Sequence, residues 1–141
     1  MKKIISIMVS ALLVCCNLFA FDFQVDGIGY TVTSFETFTV AVDGLDSSLS
    51  GVISIPSTIT YSNKNFLVTS INSARGGELE SLILPESITS IGLSAFSGTK
   101  IKEIDIPNSV TEIGRNAFAN CTELEKITIS NNVNILNNYL F

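Results

Sequence analysis

The most constraining feature of this sequence is an apolar pattern that recurs every 22 or 23 residues between Leu79 and Phe141. Leu79, Ile101 and Leu124 mark one position in three successive copies. A fixed period of this length is typical of a solenoid, in which each copy buries its apolar side only against its neighbours. Seven positions keep this register: Leu79/Ile101/Leu124, Leu82/Ile104/Ile127, Leu84/Ile106/Ile129, Ile88/Val110/Val133, Ile91/Ile113/Leu136, Ala95/Ala117/Leu140 and Phe96/Phe118/Phe141.

Each copy predicts two short strands. Residues 82–84 and 104–106 alternate, so the outer members of each triplet should face the core and the middle member should face solvent. Pro85 and Pro107 follow the triplets and should end the strands, because proline has no N–H to donate to a sheet. Residues 87–91 alternate again and predict a second short strand.

The far side of each copy is predicted to be a corner followed by a short helical turn. Gly92 and Gly114 follow the second strand, and we expect them to permit a tight bend or a positive φ. The pairs 95–96 and 117–118 combine alanine with phenylalanine. We expect these pairs to lie on short helical turns that close the core from the far side.

The N-terminal residues 1–20 predict a secretory signal peptide. Lys2 and Lys3 give a positive start, residues 4–19 are mostly apolar, and Ala20 is a small residue at a cleavage position. Lipid anchoring through Cys15 or Cys16 stays open as an alternative, although neither cysteine follows the expected small residue. The sequence therefore predicts a secreted or cell-surface protein.

Residues 21–51 predict a β cap over the first coil. Residues 23–25 and 30–32 flank Asp26-Gly27, which indicates a hairpin, and residues 38–42 predict a further strand ending at Asp43-Gly44. A cap is expected because an open solenoid end exposes a whole cross-section of its apolar columns.

Residues 52–141 predict the solenoid itself. Its first coil is degenerate: residues 52–56 echo residues 81–85, residues 68–71 echo residues 88–91, and a polar loop is expected at 61–65. The last coil is incomplete, because Ser130 replaces proline and Asn137 replaces glycine.

Residues 106–121 fit the pattern Ile-Pro-x-Ser-Val-Thr-x-Ile-Gly-x-x-Ala-Phe-x-x-Cys, and residues 84–99 fit it with Thr99 in place of cysteine. With the lead-in at 51–56, the chain resembles the BspA-like leucine-rich-repeat surface protein family from about Tyr30 onward. The resemblance implies a leucine-rich-repeat solenoid that is secreted or exposed on cells and binds proteins, often in adhesion to host or matrix proteins or to other cells. It implies no catalytic apparatus.

The composition gives little support to catalysis, cofactors or nucleic-acid binding. The chain has 13 acidic and 8 basic residues and no histidine, and it contains no phosphate-binding glycine loop. Glu103 and Asp105 share a strand face and are interpreted as solvated rather than catalytic, while Asp26 and Asp43 are interpreted as turn residues rather than metal ligands. We therefore predict no enzyme, no cofactor and no metal site.

Cys121 is the one cysteine outside residues 1–20, so no internal disulfide is expected in a mature chain that begins after Ala20. It occupies the position of Thr99 in the previous copy. We interpret it as a small, half-buried residue that fills the corner of the solenoid, because no histidine exists to activate it.

The candidate protein-binding site is the outward face of the stacked first strands. Since neighbouring strands lie about 4.8 Å apart, these outward side chains should form one mixed patch. Glu103 beside Lys126 could form an exposed ion pair, and Ile83 is apolar although predicted to face out. The predicted patch consists of two rows, Ser81/Glu103/Lys126 and Ile83/Asp105/Thr128.

Two alternatives to a complete binding protein remain open. An uncapped terminal coil should self-associate with another copy of the chain, as a structural module, or should indicate a fragment of a longer repeat protein. Its exposed apolar residues would be Leu124, Ile127, Ile129, Val133, Leu136 and Phe141.

Overall fold

The structure of the protein is a computed structural model that describes residues 21–136 and 140–141. The predicted signal peptide, with Cys15 and Cys16, and the Asn137 substitution lie outside the described residues. The regular elements of the described part are all β-strands. They are β1 (Phe23–Val25), β2 (Ile28–Ser34), β3 (Thr39–Leu45), β4 (Ser50–Ser54), β5 (Thr58–Tyr61), β6 (Lys64–Ser73), β7 (Glu78–Ile83), β8 (Ser90–Ile91), β9 (Glu103–Asp105), β10 (Glu112–Ile113), β11 (Lys126–Thr128) and β12 (Ile135–Leu136).

These strands form two sheets with the core between them. Sheet A has the order β1-β2-β3-β6-β8-β10-β12, with β5 also paired to β6, and sheet B has the order β11-β9-β7-β4. Equivalent strands of successive coils pair in parallel, so Ile127 lies opposite Ile104 in sheet B and Ile113 lies opposite Ile91 in sheet A. The predicted mainly β, leucine-rich-repeat solenoid is thus confirmed.

The predicted apolar columns form the core of the stacked coils. In the second and third coils every column position is buried, from Leu79 and Ile101 to the Phe96–Phe118 pair, whose rings stack 5.1 Å apart. The terminal coil is less covered: Phe141 is 67% exposed, against 1% for Phe118. Four further column residues of that coil are only partly buried, namely Leu124, Ile127, Ile129 and Val133.

The predicted N-terminal hairpin is confirmed. Strands β1 and β2 pair antiparallel around Asp26 and Gly27, which both have positive φ. The next strand is longer than predicted, because β3 continues through Asp43-Gly44 to Leu45 while pairing with β2. Its other edge pairs in parallel with β6, so the cap and the first coil share sheet A.

The polar segment 61–65, expected to be a loop, is a hairpin turn between β5 and β6. Tyr61 pairs with Lys64, and Ser62 and Asn63 between them both have positive φ, as a type I′ turn requires. The sequence signal was missed because this turn contains no glycine. The ring of Tyr61 stacks on Phe23 at 4.0 Å and thereby connects the hairpin to the cap.

The structure corrects one expectation about the far side and narrows another. The segment around Ala95 and Phe96 is a series of turns without a helix, because Ser94 has a φ of 53° and interrupts any right-handed helix. For Gly92 and Gly114, the positive-φ alternative does not apply. Their role is close packing: a Cβ on Gly114 would lie 2.6 Å from the carbonyl carbon of Gly92 in the preceding coil.

Candidate functional site

The six predicted binding residues lie together on the outward face of sheet B. Lys126 pairs with Glu103 and Glu103 with Ser81, which forms one row across three strands. Thr128 pairs with Asp105 in the second row, and Ile83 occupies the equivalent position on β7. Ser81 is half-buried and the other five are exposed. The alternation of each strand produces this face, because the intervening residues fill the core.

Strand β4 extends both rows by one residue, which the sequence reasoning missed. Val52 pairs with Ser81, and Ser54 pairs with Ile83. Val52 is 60% exposed and Ile83 is 55% exposed. Because these two apolar side chains lie on adjacent strands in adjacent rows, they are diagonal neighbours on the same face. Sequence reasoning missed this extension because the first coil matches the repeat pattern only imperfectly. The similarity between residues 52–56 and 81–85 could have revealed it.

Charged residues that precede the two predicted rows in sequence, on β7 and just before β9, form two ion pairs. Lys100 Nζ lies 2.6 Å from Glu78 Oε2, and Lys102 Nζ lies 3.0 Å from Glu80 Oε1. Glu78 raises the pKa of Lys100, first through their hydrogen bond and then through its charge, and the more distant Glu123 adds to the shift.

The expected ion pair between Glu103 and Lys126 is not among the ion pairs of the described residues. The two residues are register neighbours and both are exposed, and exposed pairs of this kind contribute little stability.

The face as a whole is acidic. Its outward charged groups are six carboxylates and three lysines. A groove of about 340 Å³ crosses it from Val52 on β4 to Lys126 on β11. The charged groups are Glu78, Glu80, Glu103, Asp105, Glu123, Glu125, Lys100, Lys102 and Lys126.

The other acidic residues considered in the sequence analysis lie in turns, in hydrogen bonds within the fold, or on the exposed surface. Within the described residues, no group of three or more His, Cys, Asp and Glu side chains could hold a metal ion. Asp43 accepts a hydrogen bond of 2.8 Å from Thr31, and Asp26 lies in the β1–β2 turn. Glu103 and Asp105 are both exposed.

The prediction for Cys121 is confirmed, since it is half-buried at the corner of the coil. Its Sγ donates to the carbonyl oxygen of Phe96 at 3.1 Å and lies 3.5 Å from Thr99 Oγ1. Thr99 donates to the same carbonyl at 2.7 Å. Equivalent corner positions of two successive coils therefore satisfy one carbonyl oxygen.

A second concavity lies between the cap hairpin and the first coil. It has a volume of about 440 Å³ and is lined on one side by Asp26 and Tyr30 and on the other by Pro56 and Ile59. Tyr30 is fully buried, and its hydroxyl has no hydrogen-bond partner among the described residues. Burial raises the pKa of Tyr30 to about 12, and the nearby charge of Asp26 adds to the shift. The sequence gives no sign of this, because Tyr30 appears there as an ordinary strand residue.

The architecture defines the protein as a leucine-rich-repeat solenoid with an acidic, exposed sheet face. A family model described as a BspA-type leucine-rich repeat region matches residues 70–141, just over half of the chain. The chain belongs to this family.

Solved structures support the same fold. A leucine-rich cell surface protein from Faecalibacterium prausnitzii A2-165 is 24% identical, with a TM-score of 0.60 over 74% of this chain and 29% of that one. The pneumococcal vaccine antigen PcpA is 22% identical, with a TM-score of 0.55 over 80% of this chain and 39% of that one. The chain thus spans well under half the length of these two proteins.

A comparison with curated proteins gave no match.

Within residues 21–136 and 140–141, no helix has the length and apolar character needed to cross a membrane.

Proposed function

We propose that this protein is a secreted or cell-surface adhesin, a non-catalytic repeat protein that binds a host matrix protein or another cell-surface protein. The single observation that carries the proposal is the outward face of sheet B, where four parallel strands present two exposed apolar side chains beside an acidic surface. Membership of the BspA-type repeat family supports protein binding as the general role.

The chemistry of this face favours a partner with an apolar side chain and basic groups. Val52 and Ile83 offer an apolar contact at one end of the face. Lys100 and Lys102 neutralise Glu78 and Glu80, so the unpaired acidic charge lies on the β9 and β11 side of the face. A basic partner would gain complementary charge there, which speeds encounter and fixes orientation more than it adds affinity.

A binding experiment tests this face with matched controls. Purified protein is measured against immobilised matrix proteins, and Ile83→Asp is expected to weaken binding about tenfold, as loss of one apolar anchor residue of an interface does. Leu93→Asp is the control, because Leu93 is similarly exposed but lies in a turn outside sheet B.

Charge reversal tests the electrostatic part separately. Replacing both Glu103 and Asp105 by lysine should slow association and reduce its dependence on salt. Glu112→Lys is the control, since Glu112 is an exposed acid on sheet A. An affinity that the double reversal leaves unchanged would exclude the proposed face.

A second candidate function is self-association through the terminal coil. The specific observation in its favour is that Leu124 and Ile127 are only partly buried and Phe141 is exposed, whereas their equivalents in the preceding coil are buried. Strands β11 and β12 are also the terminal strands of their sheets in the described part of the chain. Light scattering over a wide concentration range tests this candidate, and a constant monomer mass would exclude it.

The proposed destination depends on residues 1–20. Cleavage after Ala20 would produce a free secreted protein, whereas lipid attachment at Cys15 or Cys16 would anchor it. Mass spectrometry of the mature N-terminus distinguishes these two outcomes. A retained Met1 would contradict both of them.

A further inference from the structure

The cleft between the cap hairpin and the first coil has one wall from each. The hairpin contributes Val25, Asp26 and Tyr30, and the segment after β4 contributes Pro56 and Ile59. The tip of the hairpin contacts the loop before β4, where the Asp46 amide donates to the Gly27 carbonyl at 2.8 Å. The cleft reaches β4 at Ser54, the last residue of that strand.

Strand β4 brings an unpaired edge to this region. It is the terminal strand of sheet B and pairs with β7 on one side, while no strand of the described chain pairs with its other side. A strand edge of this kind presents a row of backbone N–H and C=O groups that can pair with an added strand. Ser54 is the β4 residue that lines the cleft, so the cleft meets this edge at the C-terminal end of β4.

The Tyr30 hydroxyl is the second, independent observation. It is fully buried, has no hydrogen-bond partner in the described chain, and belongs to a residue that lines the cleft. A phenolic hydroxyl can donate one hydrogen bond, and a buried donor without an acceptor is unfavourable. The carboxylate of Asp26 lines the same cleft, where it favours a positively charged group.

We propose that this cleft binds an extended peptide segment carrying a basic side chain. The segment adds a strand to the free edge of β4, a backbone carbonyl accepts from the Tyr30 hydroxyl, and the basic side chain lies beside Asp26. Every second side chain of the bound peptide contacts Val25 and Ile59, and these contacts favour apolar residues at those peptide positions. Because the hydroxyl is shut off from solvent in the free protein, the peptide must displace the cleft wall to reach it.

This site shares Ser54 with the extended second row of the outward face of sheet B and is otherwise separate from that face. The proposed face uses the side chains of β4, β7, β9 and β11, whereas the cleft uses the edge of β4 and the cap hairpin. Failure of one proposal therefore leaves the other standing.

The test uses a capped six-residue peptide of alternating valine and threonine with one lysine. Nuclear magnetic resonance should show slower hydrogen exchange for amides on the outer edge of β4 when this peptide is added. A peptide with glutamate in place of lysine should bind more weakly, and one with N-methylated backbone amides should not protect β4. The absence of any protection at millimolar lysine peptide would overturn the proposal.

Single-residue variants test the two groups that the proposal assigns. Tyr30→Phe should weaken peptide binding about fivefold, the loss expected for one hydrogen bond. Tyr61→Phe is the matched control, because Tyr61 stacks on Phe23 outside the cleft lining. Asp26→Asn should reduce the preference for lysine over glutamate and keeps a residue type suited to the positive φ.

Two results would contradict these assignments. Equal effects of Tyr30→Phe and Tyr61→Phe would show that the buried hydroxyl is a packing feature or binds only water. If Asp26→Asn left the preference for the lysine peptide over the glutamate peptide unchanged, Asp26 would not recognise a basic side chain.

Discussion

Replacing Gly114 by alanine should destabilise the protein because the coils approach too closely there for a side chain. A Cβ at this position would lie 2.6 Å from the Gly92 carbonyl carbon and 2.6 Å from the Leu93 nitrogen. Both are backbone atoms, so neither can rotate away. Relief requires the two coils to separate by nearly 1 Å, which would break the 2.8 Å hydrogen bond from the Gly114 amide to the Ile91 carbonyl.

The expected cost follows from three terms. Overpacking costs about 1–3 kcal/mol, and the lost hydrogen bond costs about 1 kcal/mol. Alanine restricts the unfolded chain and returns roughly 0.4–1 kcal/mol. The free energy of unfolding in Gly114→Ala should therefore fall by about 1–4 kcal/mol, measured by urea denaturation with an unchanged slope.

Gly98→Ala is the matched control, because it separates close approach from backbone conformation. Gly98 has a φ of 73°, and a Cβ there would meet nothing within 4 Å. Alanine at this position should cost only about 1 kcal/mol, the penalty for a left-handed conformation. A Gly98→Ala cost equal to or larger than that of Gly114→Ala would refute the reasoning from close approach.

The remaining predictions concern one column and one buried tyrosine. Phe118→Ala should lower the free energy of unfolding by about 3–5 kcal/mol, because Phe118 is 1% exposed. Phe141→Ala should lower it by less than about 0.5 kcal/mol, because Phe141 is 67% exposed. Similar urea midpoints for the two variants would contradict the different burial of these two positions in the phenylalanine column. The Tyr30 pKa is raised from 10.0 to about 12, so the neutral phenol stabilises the fold fully below about pH 10 and loses that contribution as pH rises through 12. Absorbance titration should show a tyrosinate step near pH 12 that Tyr30→Phe removes, and its persistence would contradict this assignment.

Much of the fold could be predicted because a stacked repeat requires each position to face the same neighbours in every copy. The columns from Leu79 to Phe118 are apolar for this reason, and the prolines at 85 and 107 mark where strands end. The β5–β6 hairpin escaped prediction because Ser62 and Asn63 adopt positive φ without glycine. The local sequence has only a weak preference for this turn. In the folded protein, the ring of Tyr61 at the start of the turn packs on Phe23.

The candidate site was predicted only in part for a related reason. Alternation reveals which side chains point outward, so the two rows from Ser81 to Thr128 could be placed on one face. The participation of Val52 depends on how the first coil pairs with β7, and the echo between residues 52–56 and 81–85 indicates this register although the rest of the coil is imperfect. The choice of Lys102 and Glu80 as an ion pair depends on distances across neighbouring strands.

The sequence by itself determined the repeat, the direction of each strand side chain and the family to which the chain belongs. Only the tertiary structure decided why Gly114 must be glycine, which acids remain unpaired on the face, and that the Tyr30 hydroxyl is buried without a hydrogen-bond partner among the described residues. The physical reason is that periodicity records whether a side chain points toward the core or away from it. Contact distances between coils, and burial at the junction of cap and solenoid, arise only when distant segments pack together.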